Sequence, residues 1–181
     1  GTVLFGSDGS LFVGSGDGSN YTEVDHRALR AQNLDSLAGK ILRIDPATGA
    51  GLPDNPYYQA GSPASNRSKV WAYGLRNPFR FTVNPVTNQP FVGDVGWNTW
   101  EEINTGKGAN FGWPCYEGGT VDVSPEGGNT NSRNQTQCTT QTPNTTAPNP
   151  VGMIHLVAPD FNPGSYTNTQ HHLPESRRDL L

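Results

Sequence analysis

Short apolar runs, each closed by turn-forming residues, set the pattern of this chain. Val3-Leu4-Phe5 and Leu11-Phe12-Val13 flank an Asp8-Gly9 turn. Glycine there accepts the positive φ that tight hairpin turns need, so the pair predicts a hairpin. Residues 19 to 38 carry most of the early charge and predict a helical turn from Asp25 to Leu34. Lys40 to Asp45, KILRID, alternates as a half-buried strand does, and Pro46-Ala47-Thr48-Gly49 ends it as a turn. A Pro-, Asn- and Ser-rich loop follows from Gly51 to Ser68. Val70 to Leu75 resumes a strand and runs into Arg76-Asn77-Pro78. Phe79 to Val83 alternates again, Asn84 to Asn88 turns, and Phe91-Val92-Gly93 leads as a short apolar run into a glycine loop.

The outline of Phe5 to Asp17 returns in Val83 to Gly96, displaced by about 78 residues: strand, polar turn, aromatic-Val-Gly, glycine loop. Radially repeated antiparallel units of this kind build β-propellers. Past Pro114 the pattern dissolves. Gly118 to Pro150 holds almost no large apolar residue and is expected to be a long, mobile insertion. Val151 to Ala158 is a last short apolar run, and the segment around His171 and His172 reads as a loose tail. The expected organisation is therefore a strand-rich unit over 1–118, a polar insertion over 119–150, and a short strand with an irregular tail over 151–181.

Composition supports many strands over long helices, because 22 glycines and 15 prolines punctuate the 181 residues throughout. A net charge of -4 with no basic cluster before Arg177-Arg178 argues against a nucleic-acid partner. No apolar run is long enough for a membrane span. No signal peptide is visible; the chain opens on Gly1 instead of methionine, so its true start is expected further upstream. Cys115 and Cys138 have no metal-binding spacing, which leaves a disulfide as the leading reading and implies a secreted or periplasmic location. Such a bridge stabilises by about 3 kcal/mol on the chain-entropy estimate. The sequons at Asn20, Asn66, Asn134 and Asn144 are compatible with secretion.

Candidate chemistry concentrates between Gly93 and Asn104, GDVGWNTWEEIN. Asp94, Glu101 and Glu102 offer carboxylates, and a glycine turn can aim carbonyls inward, a donor set that suits hard divalent cations. The competing reading is a solvated acidic turn anchored by Trp97 and Trp100. His26, between Asp25 and Arg27, reads as an ordinary surface histidine.

Three runs carry a resemblance when taken jointly and in order: Ser36 to Asp45, the turn Tyr73-Gly74-Leu75-Arg76-Asn77-Pro78, and Gly96 to Asn104 followed by Gly108 to Pro114. They resemble the glucose/sorbosone dehydrogenase family, whose members include soluble aldose dehydrogenases that use pyrroloquinoline quinone. The resemblance covers residues 1 to about 118. It implies an all-β fold, a partial β-propeller of two to three blades out of six. It implies calcium held by the carbonyls of Gly96 and Trp97 and by Glu102, and quinone contacts from Arg76 and Asn77, with a small sugar as substrate and a separate electron acceptor.

The family's general base is a histidine expected just before Gly1. None of His26, His155, His171 or His172 matches it. The expectation is a fragment of a secreted quinoprotein sugar dehydrogenase, inactive alone. The alternatives are a non-catalytic calcium- and carbohydrate-binding propeller module of the same family, or a structural extracellular module in which Glu101 and Glu102 only cap a loop. For Arg76, the alternative is an arginine that hydrogen-bonds blade carbonyls.

Overall fold

The computed structural model describes residues 1–20, 25–96, 100–115 and 154–157. Among the described residues the fold is two four-stranded antiparallel sheets. The first is a meander of β1 (Val3–Phe5), β2 (Leu11–Ser15), β3 (Lys40–Ile44) and β4 (Val70–Tyr73). The second repeats the plan with β5 (Pro78–Val83), β6 (Pro90–Val95), β7 (Trp100–Asn104) and β8 (Ile154–Val157). Each sheet is one propeller blade, so the sequence repeat corresponds to the first hairpin of each: β1 with β2, and β5 with β6. The helical turn expected near Asp25 is a 3-10 helix over His26–Gln32, capped by the Asp25 side chain. Inside the expected loop from Gly51 to Ser68 the chain instead begins a short α-helix, Asn66–Lys69, because the Ser65 hydroxyl caps the N–H of Ser68. The expected insertion and tail lie outside the described residues apart from β8.

The blades pack face to face through Phe12 and Ile41 of the first sheet and Phe81 and Val92 of the second. Close approach depends on Gly14: a Cβ there would lie 3.1 Å from the Pro78 carbonyl and 3.4 Å from the Phe81 ring. The KILRID strand is not half-buried as its alternation predicts. Lys40, Ile41, Leu42 and Arg43 are all buried, since β3 lies inside its sheet with packed neighbours on both faces. Its charged residues are accommodated by polar partners. The Lys40 ammonium donates to the carbonyls of Arg30 (3.1 Å), Ala31 (2.8 Å) and Ala38 (2.7 Å). Burial pushes this lysine down to about 7, while the three carbonyls favour the charged form.

The turn after β4 is set by Gly74, which has φ of 75°. A Cβ at that position would meet Asn110 Oδ1 at 2.3 Å and the Gly112 nitrogen at 2.8 Å. Gly74→Ala should therefore combine left-handed strain with overpacking and destabilise by about 3 kcal/mol, read as a lowered urea midpoint. A change below about 0.5 kcal/mol would mean the turn relaxes freely.

Candidate functional site

Antiparallel pairing gathers the C-terminal ends of β2, β4 and β6 and the N-terminal ends of β3, β5 and β7 at one end of the two blades. Backbone bonds knit the turns there. Asp17 N–H donates to the Arg76 carbonyl (2.8 Å), Val95 N–H to the Asn77 carbonyl (3.0 Å), and Leu75 N–H to the Gly39 carbonyl (3.2 Å). The Gly108 to Pro114 segment runs alongside, with Phe111 N–H on the Tyr73 carbonyl (3.0 Å) and Trp113 N–H on the Gly74 carbonyl (3.0 Å). The three runs that carry the family resemblance thus meet at one place.

Arg76 and Asn77 are held by a single side chain. Asp94, only 4% exposed, accepts the backbone N–H of Arg76 at 3.0 Å on one carboxylate oxygen and that of Asn77 at 2.7 Å on the other. The Arg76 guanidinium donates from Nη1 to the carbonyls of Val95 (3.0 Å) and Gly96 (2.8 Å). It also lies 5.6 Å from the Trp113 ring centroid, within cation-π range. Trp113 is fixed in turn, because its Nε1 donates to Asp17 Oδ2 at 2.7 Å. Arg30 Nη2 donates to the Asp17 carbonyl at 2.9 Å and secures that loop.

Glu102 enters from the neighbouring strand. The β6–β7 register sets Asp94 opposite Glu102 and Val92 opposite Asn104, so these four share one face. Glu102 and Asn104 are buried, and Asn104 Nδ2 donates to Glu102 Oε2 at 2.9 Å. Asn104 Oδ1 is buried with no hydrogen-bond partner among the described residues. Burial raises the Asp94 carboxyl well above the ordinary carboxylate range and the nearby Glu102 adds to this, while the N–H groups of Arg76 and Asn77 oppose it. Among the described residues, no group of three or more His, Cys, Asp or Glu side chains is arranged to hold a metal.

Of the residues singled out from sequence, Arg76, Asn77, Gly96 and Glu102 come together here. Trp97 lies outside the described residues. The oxygen-rich loop expected over Gly93 to Asn104 is shorter than it reads. Asp94 lies at the end of β6, and Glu101 and Glu102 belong to β7, where strand alternation sends them to opposite faces. His26 is exposed at the start of its 3-10 helix, His155 lies on β8, and His171 and His172 lie outside the described residues. Sequence reasoning missed Asp17 and the buried orphan on Asn104. Asp17 had a signal, because it stands after the first aromatic-Val-Gly run much as Asp94 follows the second.

The Glucose / Sorbosone dehydrogenase family model matches residues 1–162 of the chain. HIPL2 protein from Arabidopsis thaliana is 35% identical over 150 residues, covering 73% of this chain and 21% of that protein. Aldose sugar dehydrogenase YliI from Escherichia coli K12 is 33% identical over 115 residues, covering 63% of this chain and 28% of that protein. The PQQ-bound aldose sugar dehydrogenase from Streptomyces coelicolor superposes with a TM-score of 0.52 at 35% identity, covering 65% of this chain and 30% of that structure. The chain therefore spans less than a third of each of these relatives. The order of motifs, the two-blade fold and the family match agree: the chain belongs to the glucose/sorbosone dehydrogenase family.

Proposed function

We propose that this chain supplies two blades of a quinoprotein sugar dehydrogenase that oxidises an aldose at C1, with pyrroloquinoline quinone and calcium held at the blade end described above. The observation that carries the reading is the convergence of Arg76, Asn77, Gly96 and Glu102 there. When bound, the quinone supplies a hydride acceptor and calcium the charge that polarises it. The donor set suits a hard cation. Glu102 brings a carboxylate and Asn104 Oδ1 a buried oxygen without a hydrogen-bond partner among the described residues. The Gly96 carbonyl, although it accepts from Arg76, retains a second lone pair.

The chain's residues bind and orient in this reading. Arg76 presents a fixed cationic fork for carboxylate or quinone oxygens, and Trp113 backs it with an apolar face that excludes water. No histidine of the chain is assigned as general base; the electrons pass on to a separate acceptor. Calcium titration of the longer protein by calorimetry tests the metal ligand. Glu102→Gln should weaken binding about tenfold or more, since it removes the charged donor. Equal affinities would remove Glu102 from the site.

A second reading, a non-catalytic calcium- and carbohydrate-binding module, is favoured by one observation: Arg76 is already bonded to the Val95 and Gly96 carbonyls. Calcium and sugar binding without any affinity for the quinone would decide for it.

The quinoprotein reading includes secretion or export to the periplasm and a Cys115–Cys138 bridge. Mass spectrometry of non-reduced peptides should find the linked pair. Two free thiols in exported material would refute it.

A further inference from the structure

We infer that Asp94 is a positioning residue for the quinone contacts, holding the Arg76-Asn77 turn at a fixed distance from Gly96; this rests on the reading that Arg76 and Asn77 touch the quinone. All four backbone polar groups of this residue pair have partners. The Arg76 carbonyl accepts from Asp17 (2.8 Å) and the Asn77 carbonyl from Val95 (3.0 Å), whereas both N–H groups go to Asp94. Asp94 lies on β6 two residues before Gly96, so one strand delivers the carbonyl and clamps the turn that faces it. The Arg76 guanidinium closes the loop by donating back to Val95 and Gly96.

A carboxylate is the side chain that this geometry requires. Two separate N–H donors need two acceptor oxygens at one branch point, which Asp supplies. Asparagine keeps one oxygen and turns an NH₂ toward the other donor. Alanine leaves both N–H groups, at a nearly buried site, without an acceptor. Either change frees the turn to shift, and a misplaced binding group loses affinity although the group itself is unchanged.

The test uses the longer protein with calcium and pyrroloquinoline quinone, following quinone affinity by tryptophan quenching and amide exchange by hydrogen-deuterium exchange. Asp94→Ala should weaken quinone binding about tenfold, and Asp94→Asn about threefold. In a background carrying Arg76→Ala and Asn77→Ala, Asp94→Ala should have no further effect, because its action passes through those residues. The Arg76 and Asn77 amides should exchange at least about tenfold faster in Asp94→Asn, whether or not the quinone is present. Additive losses in the triple variant, or unchanged exchange at the two amides, overturn the proposal. If Asp94→Ala does not fold, Asp94→Asn carries both measurements. If the unsubstituted protein binds no quinone, the quinone reading falls, while the exchange measurement still decides whether Asp94 holds the turn.

Discussion

Replacing Arg76 with alanine in the longer protein should lower quinone-dependent aldose oxidation about a hundredfold, with most of the loss in cofactor affinity. Its Nη1 is anchored on the Val95 and Gly96 carbonyls and its guanidinium lies against Trp113, so the remaining N–H donors have a fixed direction. A charge-assisted hydrogen bond contributes about 1.5–3 kcal/mol, and one or two such bonds to an anionic cofactor account for a hundredfold, roughly 2.7 kcal/mol. Arg76→Lys should recover little of this, because an ammonium cannot hold both carbonyls and present a second edge to a ligand. Saturating quinone should restore much of the rate of Arg76→Ala. Activity within threefold of the parent at limiting quinone would mean that the arginine serves only the blade carbonyls.

The second large effect is on stability, at the other end of the first blade. Arg43, 5% exposed, donates from Nε to Ser10 (3.0 Å), from Nη1 to Asp54 (2.7 Å) and Asn55 (3.2 Å), and from Nη2 to Asp8. Its guanidinium stands 5.3 Å from the Trp71 ring and 5.9 Å from that of Phe12. Asp8 and Asp54 keep 39% and 62% of their side-chain surface exposed, so water takes them over when the arginine is removed. What cannot be replaced is the pair of ring contacts and the buried bonds to Ser10 and Asn55. Arg43→Leu should therefore cost about 3 kcal/mol, measured by urea unfolding at neutral pH.

The pH dependence of that loss has a definite sign. Burial works to raise the Asp8 carboxyl, but hydrogen bonds from Ser10 and Arg43 outweigh it and hold Asp8 well below the usual carboxylate range. A depressed carboxyl stabilises above its unfolded value of about 4, and the contribution fades as pH falls through that value toward the folded one. The gap between parent and Arg43→Leu should narrow below about pH 4. A gap that stays constant in acid would show that Asp8 contributes nothing through its charge, and one that widens would contradict the sign.

Most of the blade plan was legible because strand alternation and turn chemistry are local signals. Val3 to Phe5 and Leu11 to Val13 are apolar runs about an Asp-Gly turn and pair as the expected hairpin, while the alternating Phe79 to Val83 is a strand that pairs with β6. KILRID was legible as a strand but not in its burial. The carbonyls that hold Lys40 come largely from a 3-10 helix about ten residues earlier, and the partners of Arg43 from loops on either side. The site was legible as a set of residues and not as an arrangement. Asp94 stood out as one acidic residue in a supposed loop, yet its role depends on two N–H groups 17 and 18 positions away. Asp17 and Trp113 meet across 96 positions, a contact that no local pattern announces. Glu101 and Glu102 read as equivalent neighbours until strand alternation placed them on opposite faces.

Dye-linked aldose oxidation by the longer protein and by the 181-residue chain side by side, with calcium and pyrroloquinoline quinone in excess, tests the dehydrogenase reading. Quinone-dependent turnover is expected from the longer protein, and at least about a hundredfold less from the chain alone. A positioned general base is worth about 10²- to 10⁴-fold, and the chain spans less than a third of the relatives it matches. A longer protein that binds calcium yet shows no quinone-dependent oxidation would contradict the dehydrogenase reading. Activity of the chain within about tenfold of the longer protein would contradict the reading that none of its four histidines acts as the base.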